Sequence, residues 1–396
     1  MNPIYLDHHA TTPTDPRVVE AMLPSFTKWF GNAGSSTHEP GRMARRAVDV
    51  ARQTVAAAIG ADAREIVFTS GATESNNLAL RGAVEQGSGG RRHLLTVATE
   101  HPSVLEPLAK LARNGYDVTL LPVVPAPEPE AGLVRVEQVA EALRSDTILV
   151  SVMLANNEIG VLQPVDEIGR LCRQRGVLLH CDATQAVGRM PVDVDRLQVD
   201  LMSFTAHKLY GPKGVGALYV RRRDRRVPLE PLLVGGGQEG GLRSGTLNVP
   251  GIVGFARALE LCRDEMAAEH PRLQALRDRA FDGLRARVGN VTLNGPALDR
   301  PGLRLAANLN VAFSGLDAES LLAAARDVAL SAGSACGSSE PEPSHVLRAL
   351  GLSDAASRSS VRFGLGRWTT ELQIDEAVDA LAIAAQRLRS MLPLAF

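Results

Sequence analysis

Lys208 stands in D-L-M-S-F-T-A-H-K-L-Y-G-P-K-G-V-G, just past an apolar run over 201–204 and before a Gly/Pro-rich turn. A lysine at the end of a buried strand is poorly placed to be a solvated charge. Burial disfavours the charged form, lowers the pKa and leaves an amine able to act as nucleophile or base. A lysine capping a strand at the surface is the plainer alternative, and the other chemistry-bearing residues decide between the two. S-G-A-T-E over 70–74 follows E-I-V-F-T directly. Such a strand-to-helix turn offers backbone N–H groups and the Thr73 hydroxyl to a phosphate, or is simply an N-cap. Asp182 closes the apolar run V-L-L-H-C. Its carboxylate could pair locally or hold a protonated ring nitrogen. His101, between Glu100 and Pro102, could start a helix, or stack on a flat ring and move protons.

A phosphate cradle, a flat-ring partner, a strand-end carboxylate and a buried lysine are the parts that a pyridoxal phosphate site needs, and they occur here in order. Cys336 is a second anchor. It lies in S-A-G-S-A-C-G-S-S-E-P-E-P, a loop of small residues that packs poorly and leaves a thiol open to attack. Cys172, Cys181 and Cys262 sit in apolar surroundings and read as small buried hydrophobes. Arg362, in V-R-F-G-L-G-R, has a rigid fork suited to a substrate carboxylate, or pairs with a surface acid.

These residues need a scaffold. A chain of 396 residues is too long for one ordinary core, so two domains are expected. The alternation implies a mostly parallel sheet covered on both faces. Strands are predicted near 4–6, 65–69, 94–99, 148–153, 177–181, 201–204 and 215–220, with helices between them over 17–30, 42–59, 103–112 and 165–175. In such sheets ligands bind at the carboxyl ends of the strands, which would gather Thr73, His101, Asn157, Asp182, Gln185, His207 and Lys208 on one edge. A helical stretch over 252–287, broken near Pro271, should lead to a second region. That region has strands near 308–313, 328–330 and 360–364, and helices over 317–326, 345–350 and 372–391. P-V-V-P-A-P-E-P-E-A-G over 122–132 is a loop by composition.

Composition excludes other classes. Net charge is −1, with 45% hydrophobic and 22% charged residues, which carries no footprint for nucleic acid. The run R-R-R-D-R-R over 221–226 reads as a solvated face, a docking patch for an acidic partner being the lesser alternative. The four cysteines have no paired close spacing, so neither a zinc site nor a disulfide scaffold is expected. No signal peptide and no apolar run of membrane-spanning length is found, and a cytoplasmic location is expected.

Taken as blocks in order, Y-L-D-H-H-A-T-T-P, T-S-G-A-T-E-S-N-N, T-E-H-P-S-V-L, N-N-E-I-G, H-C-D-A-T-Q, S-F-T-A-H-K-L-Y-G-P-K-G-V-G, G-G-G-Q-E-G-G-L-R-S-G-T, G-S-A-C-G-S and R-F-G-L-G-R cover nearly the whole chain. The sequence thereby resembles the cysteine desulfurases of the NifS/IscS-like group. These belong to the class V aminotransferase superfamily of fold-type I pyridoxal phosphate enzymes. The resemblance implies an α/β fold with a mostly parallel seven-stranded sheet in a large cofactor-binding domain over 15–258. Residues 1–14 and 259–396 would form a smaller α+β domain carrying the cysteine loop.

The resemblance also implies roles. Lys208 carries the cofactor, Asp182 pairs with its ring nitrogen, Gln185 faces its phenolic oxygen with Asn157 close by, and His101 stacks on the ring. Ala72, Thr73, Thr205 and His207 hold the phosphate, and Thr246 reaches the phosphate of a neighbouring subunit in an obligate homodimer. Asn157 and Arg362 take the carboxylate of L-cysteine. Cys336 accepts the sulfur as a persulfide and passes it to an acceptor protein, an iron–sulfur scaffold or a tRNA-thiolation carrier. No metal is implied. Two departures stand out. G-N-A-G-S-S over 31–36 replaces the usual G-N-P-S-S, and the chain ends at L-P-L-A-F without the longer tail that helps assembly members dock their scaffold.

Overall fold

The structure is a computed structural model and describes residues 3–87, 89–332 and 342–391. Its centre is a seven-stranded sheet in the order Ile66–Thr69, Gly216–Val220, Leu201–Thr205, Leu178–Asp182, Thr147–Ser151, His93–Val97, Asp117–Leu121. Gly216–Val220 runs antiparallel to both of its neighbours, and the other pairs are parallel. The four inner parallel strands are buried at every position. Continuous apolar runs such as T-I-L-V-S and L-M-S-F-T are the sequence form of strands covered on both faces. One hydrophobic cluster covers one face and includes Phe204, Phe255, Val48 and Leu179. The other face packs Leu78, Leu80, Leu94, Leu108 and Leu218.

A second, antiparallel sheet has the order Ser331–Ala332, Ser360–Gly364, Asn308–Phe313, Val291–Leu293. Its core contains Leu309, Phe313, Phe363 and Leu381. Helix Val249–Arg287 joins the two cores, contributing Phe255 and Leu259 to the first and Leu276 and Leu284 to the second. The expected break near Pro271 does not occur. The missing N–H and the ring clash disfavour helix there. Buried Cys262 before the proline and Leu273 after it belong to different cores, and both hold the helix in line.

Other expectations need correction. The pattern over 17–30 is two short helices, Pro16–Met22 and Pro24–Thr27, because Pro24 starts a new first turn. Strand Asp117–Leu121 and helix Val136–Ala142 escaped the reading, since an edge strand and a short helix carry weak periodicity. The run over 221–226 is not a uniformly solvated face. Arg221 is buried and paired with Asp195 and Asp224, Arg223 reaches Glu65, and Arg225 reaches Asp200. Arg222, Arg223 and Arg226 are exposed, so the solvated face holds for most of the run and Arg221 is the exception.

The N-terminal segment links the two sheets. Ile4–Tyr5 pairs in parallel with Val328–Ala329, and Gly364 N–H donates to the Leu6 carbonyl. Farther along, Thr12 N–H donates to the carbonyl of His207, and Asp15 N–H to that of Tyr210. The chain therefore runs as a strap from the smaller sheet to the lysine turn. Arg367 locks this junction. It pairs with Asp15 at 2.9 Å, Glu265 at 2.9 Å and Glu269 at 2.6 Å, and lies over the Tyr210 ring. Removing one partner from such a set strands buried charge. Arg367→Ala should cost about 3–5 kcal/mol, read as a fall in the urea midpoint at unchanged slope.

Candidate active site

The carboxyl ends of the inner strands open into a cavity of about 620 Å³. Ala72, Thr73, His101, Asn157, Asp182, Gln185, Thr205, His207, Lys208 and Arg362 all line it. Thr246 does not line it and is exposed on the loop before helix Val249–Arg287. Cys336 lies outside the described residues. The other three cysteines are buried, as expected of small apolar groups.

Lys208 follows strand Leu201–Thr205 in a short 3-10 turn. Its Nζ donates to the carbonyls of His9 at 2.7 Å and Ala10 at 2.6 Å. Its pKa is lowered to about 7, first by burial and then by the nearby cations Arg362 and Arg189, with Asp7 and Asp182 opposing. An amine of this kind is half neutral at neutral pH and can take a proton.

Asp182 ends strand Leu178–Asp182 and is buried. Its carboxylate accepts from Asn76 Nδ2 at 2.8 Å and from Thr184 N–H at 2.9 Å. Asn76 Nδ2 also donates to Ser103 Oγ at 2.8 Å, and Ser103 contacts His101 Nδ1 through its hydroxyl at 2.8 Å and its N–H at 3.1 Å. The Ser103 N–H can only donate, so Nδ1 is an acceptor and the proton of the neutral His101 ring sits on Nε2. Burial lowers the pKa of His101 and favours this neutral ring. His101 is thus both the N-cap of helix Pro102–Arg113 and a wall of the cavity, and the two alternatives read from sequence coexist.

At the opposite end, Gly71 turns strand Ile66–Thr69 into helix Ala72–Gly87. Its φ of +156° and the open space at 3.8 Å from Thr205 Oγ1 leave the first-turn N–H groups of the helix facing an uncrowded corner. His207, with a pKa lowered to about 4 by burial first and then by Lys208 and Lys213, stands there as a neutral donor. Lys213 lines the same cavity.

Arg362, on strand Ser360–Gly364, is held by Asp7 Oδ1 at 2.7 Å and Ser331 Oγ at 3.2 Å. Its Nε is buried with no partner among the described residues. Ser331 also donates to Asp7 Oδ2 at 2.8 Å, just before the undescribed segment. Beyond that segment Ser344 donates to the carboxyl of Glu158, and the His345 ring contacts the Glu100 carbonyl at 2.8 Å. Both flanks of the stretch containing Cys336 are therefore tied to neighbours of Arg362, Asn157 and His101.

Sequence reasoning missed Asn76, Ser103, His9 and Arg189. The first two are spaced by the strand-helix alternation and carried no signal alone. Asn76, Ser103 and His9 were legible only as members of larger blocks, and Arg189 lies outside all of them. Gln185 is engaged with His9, its Oε1 lying 3.0 Å from Nδ1 and its Nε2 donating to the carbonyl at 3.0 Å.

The residues present fit pyridoxal phosphate. A helix N-terminus with neutral histidine and threonine faces one end of the cavity, and a buried carboxylate the other. The buried Asn76 Oδ1, Thr184 Oγ1 and His9 Nε2 have no partner among the described residues. Such orphaned groups are costly unless something binds.

The class-V aminotransferase family model matches residues 4–377. The cysteine desulfurase IscS of Glaesserella parasuis is 51% identical over 395 residues, covering 99% of this chain and 95% of that protein. The chain belongs to the class-V aminotransferases and, within them, to the cysteine desulfurases. This family is pyridoxal phosphate-dependent. A solved NifS-like protein superposes with a TM-score of 0.87 at 34% identity, covering 98% of this chain and all of that one. A structure described as SspA in complex with cysteine gives 0.80 at 35% identity, covering 92% of this chain and 99% of that one. No helix among the described residues is long and apolar enough to cross a membrane.

In the cofactor-free protein, labelling of Lys208 by an amine-reactive acylating agent, followed by peptide mass spectrometry, should reach half its maximum near pH 7. A midpoint near the ordinary lysine value of about 10.4 would mean that the amine is solvated.

Proposed function

We propose that this chain takes sulfur from L-cysteine, giving L-alanine and a persulfide on Cys336, with pyridoxal phosphate held at Lys208. The carrying observation is that a lysine at a strand end, a buried strand-end carboxylate and the fork of Arg362 line one cavity, with the flanks of the Cys336 segment anchored beside it.

Pyridoxal phosphate, when bound, would supply a sink for the electron pair left by removal of the substrate α-proton. Asp182 would hold its ring nitrogen protonated, and Asn76 and Thr184 N–H keep that carboxylate in one place. Ala72, Thr73, Thr205 and His207 would hold its phosphate. Arg362 and Asn157 orient the substrate carboxylate. Lys208, neutral in half the molecules at pH 7, takes the α-proton and returns it. His101 offers the proton on Nε2.

Cys336 attacks as a thiolate. The new S–S bond forms as the substrate C–S bond breaks, the electron pair leaves with the β-carbon, and protons complete L-alanine. L-cysteine plus thiol thus becomes L-alanine plus persulfide with no outside oxidant. An acceptor protein then takes the outer sulfur, an iron–sulfur scaffold or a tRNA-thiolation carrier. Exposed Thr246 is read as reaching the phosphate of a second copy, which makes the active unit a homodimer. We also keep the division into a large domain over 15–258 and a small one formed by the rest, and a cytoplasmic location.

Purified holoprotein given L-cysteine and a reducing thiol should release alanine and sulfide in equal amounts. Cys336→Ala should keep the cofactor absorbance and lose sulfide release. Lys208→Ala should lose the absorbance of the lysine-bound cofactor. Undiminished sulfide from Cys336→Ala would sink the reading. Arg362→Ala should raise KM for L-cysteine by about 10-fold or more, since a charged hydrogen bond to a carboxylate contributes roughly 1.5–3 kcal/mol.

A further inference from the structure

Apart from its charge near Lys208, Arg189 has been given no part in the chemistry above. It follows Gly188, whose φ of +81° turns the chain where a Cβ would press on Leu209 Cβ at 3.0 Å. The guanidinium reaches one ring nitrogen and two carbonyls. Nη1 contacts His9 Nδ1 at 2.8 Å, and Nη2 donates to the carbonyls of His8 at 2.8 Å and Lys208 at 3.0 Å. His9 and Ala10 in turn accept the two hydrogen bonds of Lys208 Nζ. The contacts form a closed ring. The strap holds the amine of Lys208, and Arg189 holds both the strap and the backbone of the same lysine.

We propose that Arg189 is a positioning residue for Lys208: its planar fork clamps residues 8–9 of the strap to the lysine backbone, so that the amine has one location with a fixed cation beside it. The proposal rests on reading Lys208 as the reacting amine.

The chemistry of the fork supports this. Arg189 Nη1 and Gln185 Oε1 both lie against His9 Nδ1, at 2.8 and 3.0 Å; the arginine can only donate and the amide oxygen only accept, so one of the two contacts is a hydrogen bond, while the two carbonyl bonds of Nη2 stand either way. Burial, then Arg189 and Arg362, push the pKa of His9 well below its usual value. The contacts of Arg189 go to a ring nitrogen and two carbonyls rather than to a carboxylate. Among the described residues its charge is therefore not cancelled by an ion pair, and it is felt by its neighbours. At Lys208 the other charged groups are Arg362 on strand Ser360–Gly364, Asp7 on the strap and Asp182 on its strand end. Arg362 is held by Asp7, so part of its effect is offset. His101 and His207 have lowered pKa values and stand neutral, and Lys213 lines the cavity near His207. A lysine in the place of Arg189 would carry the charge, but one ammonium on a shorter reach lacks the planar fork that lies against both the His9 ring and the two carbonyls.

The test uses Arg189→Gln and Arg189→Lys. In the cofactor-free protein, the pH midpoint for acylation of Lys208 should rise by about one unit in Arg189→Gln, as expected for removing a nearby like charge. In Arg189→Lys the midpoint should stay near that of the parent. In the holoprotein, release of pyridoxal phosphate should be about 10-fold faster in both variants, because the amine has lost its clamp. An unmoved midpoint in folded Arg189→Gln would overturn the proposal, as would parental cofactor release in Arg189→Lys. If Arg189→Gln does not fold, Arg189→Lys decides by its release rate. A merely structural role would lower stability and leave midpoint and release unchanged. Failure of the underlying reading is separate: Lys208→Ala would then keep the lysine-type cofactor absorbance.

Discussion

A primary amine that must be neutral near pH 7 cannot sit in water, where it holds its proton to about pH 10. Lys208 meets that constraint by burial, with cations on two sides. Burial has its own requirement, since the amine still needs hydrogen-bond acceptors. Two backbone carbonyls of the strap, those of His9 and Ala10, supply them. Carbonyls accept without adding a negative charge, so they satisfy the amine and leave its pKa low. Much of the architecture follows from bringing the strap to that point.

The strap has to come from the other sheet. It starts by pairing with Val328–Ala329, exchanges hydrogen bonds with Gly364 and ends against His207 and Tyr210. Helix Val249–Arg287 runs alongside and contributes to both cores, so the distance between the sheets is set by packed side chains. Arg362 and Lys208, far apart in sequence and on different sheets, thereby face one cavity. Glycine is required where chains crowd there. A Cβ on Gly364 would lie 2.7 Å from the His9 nitrogen, and one on Gly366 would overlap the His8 ring at 2.2 Å.

Electrostatically the cavity carries more cation than anion. Lys208, Lys213 and Arg362 face Asp182 and Glu74, with Glu74 already paired with Arg243 and Asp7 occupied by Arg362 and Ser331. That balance suits a phosphate and a substrate carboxylate entering together. The acids farther inside are quieter. Burial first, then Asp182, raises the pKa of Glu100, and burial raises that of Glu158, so both favour the neutral form beside the anchored flanks of the Cys336 segment.

Local pattern made the alternation, the buried strands and the residues at their carboxyl ends legible. Period and polarity alone mark Asp182 and Lys208 as out of place beside apolar runs, and a loop of small residues marks Cys336. Family blocks then named the chemistry. Contacts between distant segments were not legible, because nothing in one window of sequence says what packs on it. The relay from Asp182 through Asn76 and Ser103 to His101 is of this kind, and so are the strap, the unbroken helix through Pro271 and the buried ion pairs of Arg221. Sequence determined which groups could do chemistry. Tertiary structure decided which carbonyls hold the lysine and which cations lower its pKa, since both depend on distances that only packing sets.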